Sequence, residues 1–141
     1  MIHLQLVTLS GVKLDVDVAE VLLPSLDGQI GVLTGHMPLI SVATVGIISV
    51  RHNAKDPDYK MDNYASHGGV IEISENKVRV LVDEADNADE INEEEANKAL
   101  KLAQKMKADA KDELSLAHAQ ELIDRQSVRL KVASLRRHRR N

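Results

Sequence analysis

The sequence predicts an N-terminal antiparallel β-sandwich over residues 1–87 followed by a C-terminal antiparallel two-helix hairpin over residues 88–141. Three observations predict it. Short β-branched runs broken by turn residues fill the chain up to Val82, the signature of a sandwich or barrel. Beyond Asn87 the apolar spacing changes from two to three and four. The charge balance changes with it: residues 1–87 carry six Lys/Arg against twelve Asp/Glu, and the remainder carries twelve against ten. A chain of 141 residues with 43% apolar content can bury a real core in two such units.

The first strand is expected over His3–Leu9. The second, Val12–Val18, alternates as V-K-L-D-V-D-V. A period of two puts Val12, Leu14, Val16 and Val18 on one half-buried face and Lys13, Asp15 and Asp17 on the other. Further strands are expected at Ala19–Leu23, Gln29–Leu33, Ile40–Val50, Tyr59–Ser66, Val70–Ile73 and Val78–Val82. Between them lie turn signals at Pro24–Gly28, Thr34–Pro38, Asn53–Asp58, His67–Gly69 and Ser74–Asn76. Asp27-Gly28 and Glu75-Asn76 suit tight turns, and Gly68-Gly69 suits a bulge or a positive-φ position.

From Asp83 to Glu95 the chain is rich in acids and amides, which suggests a solvated approach to a helix, with Asn92 or Asp89 as its cap. Ala96, Ala99, Leu100, Leu102, Ala103 and Met106 then recur at helical spacing, with acids early and lysines late as the helix dipole favours. After a polar break at Lys107–Lys111, a second periodic segment runs from Asp112 through Leu135. Its partner stripe is mostly alanine. The helices can therefore approach closely while burying little area, and the hairpin is expected to rearrange more readily than the sandwich.

Composition also excludes chemistry. With no Cys there is neither a disulfide framework nor a thiolate metal site. No apolar run approaches the roughly 20 residues of a bilayer span, and no basic-then-apolar leader opens the chain, so a soluble, unprocessed protein is expected. The six histidines form no HxxxH or HxH pair, and neither a phosphate-binding glycine loop nor a GxSxG elbow is present. Asp83, Glu84 and Asp86 lack the register of a calcium loop. Catalytic residues, metal ligands and cofactors are therefore expected to be absent.

The sharpest feature is the end of the chain, where Arg125, Arg129, Lys131, Arg136, Arg137, Arg139 and Arg140 follow Asp124 with no acid among them. Three readings stand: a stand-alone nucleotide- or nucleic-acid-binding module, a helix that docks on an acidic protein surface, and a solvated terminus. The two tyrosines, Tyr59 and Tyr64, are the only aromatic side chains, which weakens the case for base stacking.

The segment L-D-G-Q-I-G-V-L-T-G-H-M-P-L, Leu26–Leu39, followed by Val45-Gly46-Ile47, resembles a signature of the ε subunit family of the bacterial rotary, F-type ATP synthase. H-G-G-V-I-E-I-S-E-N-K-V-R-V-L-V-D-E-A, His67–Ala85, is similar to that family's second block, and R-L-K-V-A, Arg129–Ala133, sits where its second helix ends. Three blocks in collinear order cover nearly the whole chain.

The resemblance implies a non-catalytic central-stalk subunit at the cytoplasmic face of the bacterial membrane. Its sandwich would bind the γ subunit and the c-subunit ring, coupling ring rotation to the catalytic head. Its helices would alternate between a compact hairpin and an extended form that reaches the α/β hexamer and inhibits ATP hydrolysis. It further implies that Gln29, Ile30, Gly31 and His36 face the c ring and γ, and that Arg125, Arg129, Arg136 and Arg137 make the inhibitory contacts. Gln29 replaces the Glu of many members, and Thr34 replaces a frequent Pro. Some relatives bind ATP through I-D-x-x-R-A plus arginines on the second helix, positions filled here by Ile91-Asn92-Glu93-Glu94-Glu95-Ala96 and by Arg125 and Arg129. Glu95 in place of Arg sets an anion against a polyanion, a reversal worth on the order of several kcal/mol at about 4 Å. Weak or no ATP binding is expected.

Overall fold

The structure, a computed structural model, describes residues 1–140, with side chains through Arg136. Ten strands form one hydrogen-bonded sheet that folds over on itself: β1 (Ile2–Thr8), β2 (Gly11–Val18), β3 (Glu20–Ser25), β4 (Gly28–Val32), β5 (Leu39–Ala43), β6 (Gly46–Arg51), β7 (Asp62–Ser66), β8 (Gly69–Ser74), β9 (Lys77–Val82) and β10 (Ala85–Asn87). The order is β10-β7-β6-β3-β5-β8-β9-β1-β2, with β4 paired to β3. The corner lies between β3 and β5, joined only at Ser25 and Ala43, so β10, β7, β6, β3 and β4 form one layer and β5, β8, β9, β1 and β2 the other. Every pairing is antiparallel except β1 with β9, which is parallel and joins distant parts of the chain.

The core lies between the layers. Alternate residues of each strand enter it, with Leu4, Leu6, Ile71 and Val80 from one layer and Val21, Leu23, Ile48 and Val50 from the other, all fully buried. At roughly 1.5–3 kcal/mol for each such side chain, this layer contact dominates the stability of the molecule. Turn chemistry matches the expectation: Gly28 and Gly68 have positive φ, as do Glu75 and Asn76.

Four expectations need correction. Val12 does not share a face with Leu14, Val16 and Val18, because the register shifts between Leu6, paired with Leu14, and Val7, paired with Val12. Lys13 is the extra residue of this bulge, and every side chain before it changes sides. The run Ile40–Val50 is two strands, since the chain turns the sandwich corner at Thr44, whose N–H donates to the Pro24 carbonyl. Tyr59 lies in a 3₁₀ turn, Asp58–Lys60, ahead of β7. The acidic approach to the helices contains a strand, β10, which pairs with Tyr64, Ala65 and Ser66 of β7.

A short 3₁₀ turn, Ala88–Glu90, leads into α1 (Glu93–Asp109) and α2 (Glu113–Arg140). Asn87 and Glu90 form a capping box around that turn, and Asn92 caps α1 by accepting from the Glu95 N–H. Asp112 caps α2 by accepting from the Ser115 N–H at 2.7 Å, and that bond holds its carboxyl below the usual range. Among the described residues Ala96, Ala103, Ala119, Val132 and Ala133 are the buried apolar side chains of the two helices, four of the five alanine. The hairpin meets the sandwich mainly through α2: Val132 and Ala133 pack with Ala65 and Ile91, flanked by Ile47, Ala88 and Val128. Helix, first layer and second layer are thus stacked in that order.

Candidate functional site

The outer face of the second layer carries no helix, and its side chains are the first candidate surface. Register places Val42 beside Val70, Val70 beside Leu81, Leu81 beside Val7, and Val7 beside Val12. An apolar row therefore crosses five strands, with Val12 60% and Val42 49% exposed. The bulge is what brings Val12 into it. Two residues along each strand, three on β2 because of the bulge, runs a polar row on the same face: Glu72, Arg79, Gln5 and Asp15, with Ile40 at its end. A solvated sheet face ordinarily carries polar residues outward, and this uninterrupted apolar row departs from that pattern. A single-strand pattern could not reveal it, because each residue comes from a different strand.

The segment Leu26–Leu39 is the second. Gln29 and Gly31 point outward from β4 and are exposed, whereas Ile30 packs partly against the core. His36 is held within its own turn: its N–H donates to the Leu33 carbonyl, and its ring Nδ1 lies 2.7 Å from the Met37 carbonyl. The Gly35 N–H donates to the Asn76 side chain at 2.8 Å, tying this turn to the β8–β9 turn. Leu26, Leu33 and Met37 project into solvent around these four residues. Exposed apolar tips thus surround the positions of Gln29, Gly31 and His36.

The third is the arginine face of α2. Arg125 pairs with Glu84, Arg129 with Asp86 and Arg136 with Asp89. One helical turn before Arg125, Glu121 lies 3.1 Å from the His67 ring. The acids that looked like a solvated approach are the partners of the arginines that looked unopposed. The Arg137 side chain lies outside the described residues. Near the same connection Lys13 pairs with Glu90. Burial pushes the Glu90 carboxyl up, but hydrogen bonds from Lys13 and the Asn87 N–H and the charges of Lys13 and Arg129 outweigh it and hold the carboxyl below its usual range. Arg136 borders a cavity of about 640 Å³ lined also by Tyr59, Tyr64, Asp89 and Val132.

The residues at the ATP-motif positions are committed elsewhere. The Asn92 side chain is occupied as a helix cap, Glu95 is exposed, and Arg125 and Arg129 already hold carboxylates. Among the described residues no three His, Asp or Glu converge to hold a metal ion, and no helix is long and apolar enough to cross a membrane.

Residues 1–88 match the family model of the ATP synthase delta/epsilon chain β-sandwich domain. Over 139 residues, 98% of each chain, the sequence is 37% identical to an ATP synthase epsilon chain of Herpetosiphon aurantiacus. The chain belongs to the ATP synthase epsilon chain family. Among solved structures, a chain in the mitochondrial ATP synthase of Euglena gracilis, an OSCP/F1/c-ring structure, superposes with a TM-score of 0.79 at 25% identity, covering 94% of this chain and 81% of that one. A chain in the central stalk/c-ring structure of the Tetrahymena thermophila mitochondrial enzyme superposes with a TM-score of 0.56 at 14% identity, covering 94% and 92%, and shows the shared fold. The epsilon-family likeness thus spans helices as well as sandwich.

Proposed function

We propose that this epsilon-family chain is a non-catalytic central-stalk subunit that acts in two units divided near Asn87, at the cytoplasmic face of the membrane that holds the enzyme. The sandwich docks on γ and the c ring, transmitting ring rotation to the catalytic head, and the helices regulate hydrolysis by reaching the α/β hexamer. The observation that carries this is the bare apolar row of the second layer, which gives a rigid docking face on the side of the sandwich away from α2. The exposed tips Leu26, Leu33 and Met37 around Gln29, Gly31 and His36 support a further contact to the ring. Ile30 contributes from beneath, as a strut between that edge and the core.

The small alanine core of the hairpin supports a helix pair that leaves the sandwich at low cost, and Arg125, Arg129, Arg136 and Arg137 supply the charge for an acidic receiving surface. Docking is tested by Val70→Asp and Val12→Asp. Each places a carboxylate in the row and is expected to abolish co-purification with γ while leaving the sandwich folded; undiminished co-purification refutes the assignment of the face. Inhibition is tested by ending the chain after Leu116 in the reconstituted complex. Hydrolysis is expected to rise, and unchanged hydrolysis removes the regulatory half of the proposal.

A further inference from the structure

The match between the acid row and the arginine face has a geometric basis. Two residues along a strand advance about 6.6 Å, and four along a helix about 6 Å. Glu84, just before β10, and Asp86 on it lie two residues apart, while Arg125 and Arg129 are one helical turn apart, so the pairs form in step. Asp89, on the following 3₁₀ turn, meets Arg136 seven residues further along α2, and His67 with Glu121 forms a rung at the other end. The ladder spans Glu121 to Arg136, roughly 22 Å of helix. Beneath it the apolar contact between α2 and the sandwich is small, built on Ala65, Ile91, Val132 and Ala133.

We propose that Glu84, Asp86 and Asp89 form a built-in electrostatic latch that closes the hairpin without nucleotide, by holding the arginines the helix needs elsewhere. This rests on the functional reading above and adds its control. Arg125 and Arg129 cannot serve a bound polyphosphate or a partner surface while these carboxylates hold them, so release of α2 and exposure of its arginines are one event. A second feature keeps the latch reversible. The Arg125 Nε is buried and has no hydrogen-bond partner among the described residues, and opening returns it to water. The pairs are partly exposed, with side-chain exposure of 31% and 38% at Arg125 and Glu84, so each shifts the equilibrium only about two- to fivefold and the three together about ten- to a hundredfold. They are also open to screening by salt.

The test uses the full chain, which has no Cys of its own. Lys55→Cys and His118→Cys place spin labels at exposed positions on the sandwich and on α2, and pulsed dipolar spectroscopy reads their separation. In low salt a single short distance is expected with or without ATP, and about 1 M salt is expected to populate longer ones. The triple variant E84K/D86K/D89K is expected to raise the ratio of long to short at least tenfold. Adding R125E/R129E/R136E restores opposite charges and is expected to recover the short distance, which a misfolded sandwich could not do. A triple variant that stays closed, a sixfold variant that stays open, or a parent chain that closes only with ATP overturns the latch. The measurement involves neither γ nor the hexamer, so its failure leaves the docking and truncation tests standing, and theirs leaves it standing.

Discussion

Gly69 offers the most direct test of how the sandwich is built. It sits on β8, paired to Ala43 of β5 on one side and Val82 of β9 on the other. A Cβ added there would lie 1.9 Å from the Leu81 carbonyl oxygen and 2.8 Å from both the Leu81 carbonyl carbon and the Val82 Cα. All three are backbone atoms in the centre of a layer, so no side chain can rotate away. Ordinary carbon contacts need about 3.5 Å, so β8 and β9 would have to separate by well over an ångström, and the ladder bonds nearest Gly69 would break. Overpacking costs about 1–3 kcal/mol and each lost bond about 1 kcal/mol, giving about 3–5 kcal/mol for Gly69→Ala. That is a large fraction of the 5–15 kcal/mol typical of a domain. Its neighbour supplies the control. Gly68 has φ +53°, and a Cβ there meets only the Ala43 oxygen at 4.0 Å, so Gly68→Ala costs only the left-handed penalty of about 1–2 kcal/mol. Urea unfolding followed by far-ultraviolet circular dichroism measures both. Gly69→Ala within about 1 kcal/mol of the parent, or no worse than Gly68→Ala, would refute the close approach of the strands. Because Val70 follows directly in β8, a loosened Gly69 should also blur the apolar row.

Three further outcomes follow from single groups. Burial first, then the charges of Asp62 and Glu90, pushes the Tyr64 phenol up to about 12, so its stabilising contribution is complete below about pH 10 and is lost as pH rises toward 12; an ultraviolet titration should show a step near 12 that Tyr64→Phe removes. The His3 ring lies 2.8 Å from Asp17 through Nδ1 and also bonds Asp15 through Nε2, and only the protonated ring, with a proton on each nitrogen, donates to both carboxylates. Hydrogen bonding to Asp17, then Asp15, raises its pKa above 6.5, so its contribution to stability is complete below 6.5 and disappears as pH climbs through the folded value; NMR titration of the imidazole at or below 6.5 would contradict this. Asn92→Ala removes the cap of α1 and should cost about 1 kcal/mol, expressed as faster amide exchange in the hairpin with the sandwich unchanged; protection that falls equally in both units would tell against local loss.

The strands were legible wherever alternation and turn residues coincided. The sandwich, the two helices, Asn92 as a cap and the turns at Gly28 and Asn76 all follow from local chemistry. What escaped was set by distant neighbours. A bulge is one extra residue opposite the partner strand, and V-K-L-D-V-D-V carries no mark of it until Val7 is known to face Val12. The strand β10 has three residues, two of them polar, and exists because β7 lies beside it. The apolar row draws one residue from each of five strands, so no window of sequence contains it. The partners Glu84 and Arg125 are 41 positions apart. One clue was available: acids at a spacing of two and arginines at a spacing of four are the pattern by which a strand and a helix can align.

The division of labour between the two units follows from what each buries. The sandwich encloses Leu, Ile and Val from both layers, and opening a cavity in that close-packed interior costs about 2–5 kcal/mol for each large side chain removed, so the layers hold one shape. The helices bury mostly alanine, with Val132, and lean on ion pairs that solvent reaches, so in the proposed latch charge shifts their position by about ten- to a hundredfold. The proposed coupler must not deform under load, and the proposed switch must move for a small input. Had α2 been held by leucines in place of Ala119 and Ala133, the compact form would lie beyond the reach of charge; had the second layer been closed by alanines, the docking face would bend with its partner. The placement of alanine in the helices and branched residues in the strands gives the two proposed roles different physical means within 141 residues, and the acid row at their junction is where the proposed latch would let charge decide the position of α2.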